Sequence, residues 1–548
     1  MKMKRFVFGL MVVLMTACIA LAQGNPQPAR PRTEPQPPPA QMTVPEAQQP
    51  PQQRDRQRTR MPMESQPQTE SVQTQSVQTQ PGPTQPSRKP PEEKNVVTHH
   101  SARIGGQQIS YTATAATYVI KSEDGSPKAT MFYVAYAKDG QDVSRRPISF
   151  VYNGGPGSAS LFTHMGMGPK RPVLTADGHG NSAPYAVVDN EDSFLDATDM
   201  VFVDAISTGF SRPAPGENSA QFHGIIQDAN WFADFIYQYI TRNQRWASPK
   251  FLIGESYGTT RSAELAGVLQ QKHQMYLNGV VLVSAVAFSN WGADDRSQFY
   301  LPTYTTTAWY HHLLAPDLQG LTIEQVAQRA REFAHGDYAA ALQKGDDLPP
   351  AEYKKMVQEL AHFTALSAKY IEQSNLRVSP FRWFKELLRE KRLTVGRLDS
   401  RFTGMDVDAA GERNEYDSSE ASYEGVYVGT FQDYVRRELK WESDLYYTVT
   451  ANVRPWDQAG DTGVAEVLRS AMTQQTYLKL LVVCGYYDVA TPFDGIEHTV
   501  QHMHLEPPIR KNVSFAYYEG GHMMYIDDKE RHKLHKDVDD FINSSYKH

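Results

Sequence analysis

Phe251-Leu252-Ile253-Gly254-Glu255-Ser256-Tyr257-Gly258-Thr259 joins an apolar run to a serine flanked by glycines. Three apolar residues read as the end of a buried strand. Gly-x-Ser-x-Gly follows, and Thr260-Arg261-Ser262-Ala263-Glu264-Leu265 can begin a helix. A serine on a strand-to-helix turn is held in a tight, exposed backbone conformation, and Gly254 and Gly258 leave room for the turn. This is the pattern of a nucleophile elbow. A serine used in this way needs a base, an acid that orients the base, and donors for an oxyanion, so the rest of the chain must supply them.

Two later strands supply the first two. Lys479-Leu480-Leu481-Val482-Val483-Cys484 ends in Gly485-Tyr486-Tyr487-Asp488, and Ser514-Phe515-Ala516-Tyr517-Tyr518 ends in Glu519-Gly520-Gly521-His522. The order Ser256, Asp488, His522 is nucleophile, acid, base, and both partners follow strands, which puts them at the same sheet edge as the elbow. A serine hydroxyl is a weak nucleophile at neutral pH. His522 can accept its proton and return it to the leaving group, while Asp488 holds the imidazole in the required tautomer. Asp461 and Asp494 compete for the acid role but are less well placed. The oxyanion needs backbone donors. Tyr257, directly after the serine, offers one, and the glycine-rich turn Asn153-Gly154-Gly155-Pro156-Gly157 after the apolar strand Pro147 to Tyr152 offers the other. A phosphate-binding loop is the rival for that turn; it lacks the Lys-Ser/Thr ending, and Pro156 removes a donor.

The surrounding pattern is α/β. Gln107 to Thr114, Ala116 to Lys121 and Thr130 to Ala137 read as an antiparallel start, punctuated by Gly105-Gly106, Asp124-Gly125 and Asp139-Gly140. Strands then alternate with helices: Met200 to Val203, the helical spacing of Ile225 to Arg242, the elbow, and Val280 to Val283. This predicts a mostly parallel central sheet with flanking helices, the α/β-hydrolase class. Residues 97–289 form the first part of that domain. Residues 290–425 read as a largely helical cap insertion, with helices over Ile323 to Leu342, Ala351 to Gln373 and Phe381 to Lys391 and a polar, irregular run from Asp399 to Tyr423. Residues 426–548 return to the domain, beginning with a helix over Phe431 to Trp441.

These motifs resemble those of the serine carboxypeptidases. Asn153 to Ser160 looks like the family's Asn-Gly-Gly-Pro-Gly-Cys-Ser-Ser signature, and Gly254 to Gly258 resembles its Gly-Glu-Ser-Tyr-Ala/Gly elbow. Phe202-Val203-Asp204 through Gly209-Phe210-Ser211 resembles its Phe-Leu-Asp-Gln-Pro…Gly-Phe-Ser segment, and the acid and histidine motifs follow in family order. The resemblance implies Gly155 and Tyr257 as oxyanion donors. It also implies Asn153 and a protonated Glu255 as the groups that bind the substrate's C-terminal carboxylate, and hence an acidic optimum. The chain departs from the family at Ser158, where the family has Cys, at Val151, where it has Trp, and at Gly166, where it has a second carboxylate-binding Glu. The last departure bears on strict carboxypeptidase specificity, and Lys170 or Arg171 is the cation that can stand in.

Composition bounds the rest. The chain has 548 residues and a net charge of −7, from 55 Lys and Arg against 62 Asp and Glu; nothing there calls for a nucleic-acid partner, which demands a basic face. Residues 1–22 read as a signal peptide, with Lys2, Lys4 and Arg5 before an apolar run that ends in Ala20-Leu21-Ala22. The run is short for a membrane span. A lipid anchor on Cys18 is the alternative, since Met15-Thr16-Ala17-Cys18 resembles a bacterial lipobox with Met15 where Leu is usual. Residues 23–96 are a Pro/Gln-rich disordered linker: no aromatic residue occurs between the signal and Tyr111, too little apolar surface to offset ordering entropy. After cleavage only Cys484 remains, so no intrachain disulfide forms. His99-His100, His311-His312 and the pair His532 and His535 lack carboxylate or cysteine at ligand spacing and read as solvated, so no metal is expected. Trp309, Tyr310, Trp383 and Phe384 either line a cleft or pack the cap. The expectation is an exported serine carboxypeptidase acting on peptides without a cofactor. An esterase or acyltransferase on the same triad is one alternative, and a catalytically inactive, envelope-tethered binding protein is the other.

Overall fold

The computed structural model describes residues 91–288, 291–460 and 463–546. Residues 1–22, read as a signal peptide, the expected linker up to residue 90, Cys18 and Asp461 lie outside the described residues; Asn95 and Val96, read as the end of the linker, belong to the first strand.

Three long strands open the fold: Asn95–Ile104 (β1), Gln107–Lys121 (β2) and Pro127–Lys138 (β3), paired antiparallel in succession. Gly105 and Gly106 turn the first hairpin with φ of 55° and 75°, a region that glycine enters without cost. Six shorter strands follow: Ile148–Tyr152 (β4), Asp199–Val203 (β5), Lys250–Glu255 (β6), Gly279–Val283 (β7), Lys479–Gly485 (β8) and Val513–Tyr518 (β9). The sheet order is β1-β2-β3-β5-β4-β6-β7-β8-β9, with Arg212–Pro213 adding a short tenth strand beside β3. Pairing is antiparallel up to β3–β5 and parallel from there on. Every residue of β4, β5, β6 and β7 is buried, as a sheet covered on both faces requires. This is the α/β-hydrolase fold.

The principal helices are Ile225–Arg242 (α1), Tyr257–His273 (α2), Ala293–Tyr310 (α3), Ser418–Arg437 (α4), Val464–Gln474 (α5) and Asp528–Tyr546 (α6). Side chains alternate across the sheet. Phe150, Leu252, Val280 and Val482 point toward α1, α2 and α5, where Phe232, Ala263 and Leu468 meet them. Val151, Ile253, Val281 and Val483 point the other way, toward α4 and α6, where Phe431 and Val538 meet them. A third core of Leu301, Tyr304, Leu360 and Trp383 lies in the cap and reaches the sheet edge through Val489. Trp383 is fully buried and stacks on Tyr304 at 4.3 Å, so packing is its role. Cys484 is a buried free thiol.

The cap differs in detail from the sequence reading. The helix expected over Ile323 to Leu342 ends at Phe333, passes through a π turn at Ala334–Tyr338 with Gly336 out of helical geometry, and resumes at Ala339. The helix expected over Ala351 to Gln373 breaks at Ala365, whose φ is 58°, between Pro350–Thr364 and Ala368–Gln373. Phe381 to Lys391 is helical over Pro380–Glu386 and then only a 3-10 turn at Arg389–Lys391. The largest difference is α4. It starts at Ser418, inside the run read as irregular, capped by Asp417 Oδ1 accepting from Ser419 N at 3.1 Å. Its buried face is aromatic (Tyr423, Tyr427, Phe431, Tyr434) and packs on the sheet rather than in the cap.

Candidate active site

The elbow is built by close approach. Ser256 has φ 59° and ψ −128° between β6 and α2, and its N–H donates to Val283 O at 3.0 Å on the neighbouring strand. A Cβ on Gly254 would lie 2.1 Å from Gly258 O, so the turn cannot close with any side chain at that position. As the first residue of α2, Tyr257 has a backbone N–H with no partner in the helix. The loop after β4 passes directly against it: a Cβ on Gly154 would lie 2.4 Å from Tyr257 N. Gly155, next in that loop, has φ 100°, which glycine alone adopts freely.

His522 and Asp488 meet at the ends of β9 and β8. His522 Nδ1 lies 2.7 Å from Asp488 Oδ2, with Asp488 wholly buried and His522 nearly so. The other carboxylate oxygen accepts from the N–H groups of Ala490 and Thr491 at 2.9 and 3.0 Å, and Thr491 Oγ1 donates to Oδ2 at 2.6 Å. Burial pushes the imidazole's pKa down, but the charge and hydrogen bond of Asp488 outweigh it, and the net shift is upward. A segment from the cap clamps both loops. Val489 N donates to Arg397 O at 3.1 Å, His522 N to Leu398 O at 2.6 Å, and Gly521 N to Asp399 Oδ2 at 3.0 Å. Arg401, 2.7 Å from Asp399, also donates to Glu519 O at 2.8 Å.

Glu255 sits beneath the serine, nearly fully buried. Asn153 Nδ2 donates to its Oε1 at 2.6 Å and the Tyr525 hydroxyl to its Oε2 at 2.5 Å. Asn153 is held in turn, its Oδ1 accepting from Thr163 N at 3.0 Å and Thr163 Oγ1 at 3.1 Å. Burial pushes the Glu255 carboxyl up to about 7, against the lowering effects of His522 and the two donors. The missing side chain at Gly166 has a structural counterpart here: a Cβ on Gly166 would lie 2.3 Å from the Tyr525 ring. The bare glycine makes room for the tyrosine that donates to Glu255.

One cavity of about 130 Å³ gathers Asn153, Gly155, Glu255, Ser256 and His522 with Arg397, Glu420 and Tyr423 from the cap side. Asp488 stands behind His522. Behind the elbow, Arg261 and Asp228 form a buried ion pair at 2.7 Å, and Arg261 Nη1 donates to Asn153 O at 2.8 Å. A serine on a strained turn, an imidazole oriented by a buried carboxylate and a first-turn backbone N–H without a helical partner are the groups that acyl transfer uses.

Other sequence candidates lie elsewhere. Lys170 pairs with Asp189 at 2.6 Å and Arg171 donates to Pro172 O; neither lines the cavity, and the cation that does is Arg397. Asp494 pairs with His335. The histidines read as solvated are in part engaged: His535 pairs with Asp196 at 2.9 Å, His532 with Asp192 at 3.0 Å, and His311 with Ser400 O at 2.8 Å. Among the described residues no group of His, Cys, Asp and Glu can hold a metal ion, and no helix is long and apolar enough to cross a membrane. Arg397, Glu420, Thr491, Tyr525 and the Arg261–Asp228 pair are absent from the motif-based reading. Tyr525, three residues beyond His522, and Thr491, three beyond Asp488, lie close to residues that the motifs did identify.

The family model described as serine carboxypeptidase matches residues 107–532. No curated protein matches the chain. Among solved structures, proline iminopeptidase of Mycobacterium smegmatis overlays with 15% identity and a TM-score of 0.31, covering 82% of this chain and 98% of its own. A thermophilic esterase of Thermogutta terrifontis overlays with 11% identity and a TM-score of 0.33, covering 79% and 99%. A carboxyl esterase of Bacillus coagulans overlays with 13% identity and a TM-score of 0.32, covering 78% and 97%.

Proposed function

Because the chain belongs to the serine carboxypeptidase family across residues 107–532, we propose that it is an exported serine peptidase that releases residues from peptide C-termini. The observation that carries this reading is the 2.7 Å contact between His522 Nδ1 and the buried Asp488, with the imidazole in the same cavity as the elbow serine. In the proposed reaction Ser256 Oγ attacks the scissile carbonyl carbon and His522 Nε2 takes its proton. The N–H groups of Gly155 and Tyr257 stabilise the oxyanion. Collapse of the tetrahedral species breaks the C–N bond, and His522 returns the proton to the departing amine. Water, deprotonated by His522, then cleaves the acyl-enzyme. Asp488 holds the imidazole with Nδ1–H toward itself throughout.

The test compares a peptide bearing a free C-terminal carboxylate with its C-terminal amide, on wild type and on Ser256→Ala. Faster Ser256-dependent cleavage of the free acid is expected. Equal cleavage of both overturns the carboxypeptidase reading and leaves an esterase or acyltransferase on the same residues. No turnover of any acyl substrate leaves the binding-protein alternative.

The pH profile separates the two carboxyl-dependent steps. His522 must be neutral to act as a base, so turnover of every substrate rises as pH climbs through its elevated pKa. Glu255 is neutral below about 7 and anionic above it, and an anion there repels a substrate carboxylate. The kcat/KM for free-acid peptides is therefore expected to fall as pH rises through about 7, while amides and esters keep only the acidic limb. Tyr525→Phe removes a donor that favours the charged carboxylate, so the alkaline limb should move to higher pH. Identical profiles for acid and amide peptides would show that Glu255 does not face the substrate carboxylate.

A further inference from the structure

We propose that Arg397 is the specificity-determining cation of this site and receives a carboxylate of the substrate beside the scissile bond. The inference deepens the peptidase reading and rests on it. The residues that the family resemblance assigns to carboxylate binding are largely spent on one another. Asn153 Oδ1 accepts two bonds from Thr163, its amide donates to Glu255, and Glu255 accepts from Tyr525 on its other oxygen. None of these groups carries a positive charge. Among the described residues that line the cavity, Arg397 is the one permanently charged cation.

Its placement is fixed by the same loops that carry Asp488 and His522. Arg397 O accepts from Val489 N at 3.1 Å, Arg397 N donates to Asp417 Oδ1 at 3.0 Å, and the carbonyl of the next residue accepts from His522 N at 2.6 Å. The side chain is free by comparison. It is 42% exposed, and its only ion pair among the described residues is a loose one, Nε to Asp417 Oδ2 at 3.7 Å. Asp417 already serves as a cap, accepting from the N–H groups of Arg397, Leu398 and Ser419. Other arginines are paired much more closely: the buried Arg261 and Arg245 and the partly buried Arg401 each stand 2.7 Å from a carboxylate. A guanidinium anchored by its backbone, under-paired at its head and facing a cavity with a serine nucleophile fits a bidentate carboxylate. Glu420 lines the same cavity and interacts with the Arg397 charge, so it competes with the incoming anion.

The carboxylate has two sources, the α-carboxylate of a C-terminal residue or an acidic side chain next to the scissile bond. The experiment uses the full chain as wild type, Arg397→Gln, Arg397→Lys and Glu420→Gln, each checked for folding by circular dichroism. Four substrate arms are run: a neutral peptide with a free C-terminus, its amide, an amidated peptide with glutamate beside the scissile bond, and a pair of esters differing only in a free or methylated carboxylate. Arg397→Gln is expected to lower the anionic-over-neutral preference in kcat/KM by about 10–100-fold, through KM, from the loss of a charge-assisted hydrogen-bond pair. Arg397→Lys should restore part of it, and Glu420→Gln should raise it. Loss confined to the free-acid peptide identifies the α-carboxylate; loss confined to the acidic side chain identifies that group. An Arg397→Gln preference equal to wild type in every arm, or equal losses on anionic and neutral substrates, overturns the proposal. If no peptide is cleaved but esters are, the peptidase reading fails while the ester pair still decides the role of Arg397.

Discussion

Ser256→Ala lowers kcat/KM on any acyl substrate by about 10,000-fold or more, and His522→Ala lowers it by a similar factor. The two losses do not add: the double variant retains about the same residual rate as either single one, because serine and imidazole act in one proton transfer. What survives comes from binding and the backbone donors. A second readout separates this loss from unfolding. Ser256 holds φ 59° and ψ −128°, a sparsely populated conformation that costs a non-glycine residue about 1–3 kcal/mol. Alanine keeps that strain and glycine relieves it, so Ser256→Gly should be as inactive as Ser256→Ala yet resist urea better. A Ser256→Ala protein that is well folded and still turns over acyl substrates would sink the nucleophile assignment. A Ser256→Gly protein less stable than Ser256→Ala would contradict the strain.

What could be read in advance follows the range of the signals. The elbow, the strand ending at Asp488 and the strand ending at His522 each carry their evidence within about ten residues, as an apolar run that stops at a polar residue. The sheet was legible for the same reason, since β4, β6, β7 and β8 are short apolar runs with glycine at their ends. The helix Ser418–Arg437 was legible only from Phe431 on. Its buried face is made of tyrosines, and Gly425 and Gly429 dilute the helical pattern, although Tyr423, Tyr427, Phe431 and Tyr434 keep the spacing of one stripe. Tyr525 and Gly166 are 359 positions apart in sequence but in contact, and the glycine reads as a lost acid until the ring that fills its place is seen. Arg397 lies in a cap segment whose only local features are charge and turns. Its position depends on backbone hydrogen bonds to two distant loops, which no spacing rule encodes.

Arg261 tests whether the walls of the cavity depend on a group that never touches it. The guanidinium is fully buried, bound to both oxygens of Asp228 at 2.7 and 3.3 Å and stacked over Phe232 at 4.2 Å. It joins two pieces of backbone that the proposed reaction needs together. Its Nη1 donates to the carbonyl of Asn153, two residues before Gly155, and Asp228 accepts from the Tyr257 hydroxyl at 3.2 Å. Arg261→Met leaves Asp228 buried without a cation and is expected to cost about 3–5 kcal/mol in urea unfolding. Asp228→Asn with Arg261→Met removes both charges and should recover most of that stability, as replacement of whole buried pairs often does. Activity should not follow. The Asn153 carbonyl still lacks its donor and Tyr257 its charged acceptor, so kcat should stay down by about 100-fold, the scale of one misplaced oxyanion donor, with KM changed much less. If the double variant regains kcat together with stability, the pair serves the core alone. If stability returns and kcat does not, the hydrogen bond to Asn153 O holds the oxyanion loop against the elbow, and the geometry of the cavity is set one layer behind its surface.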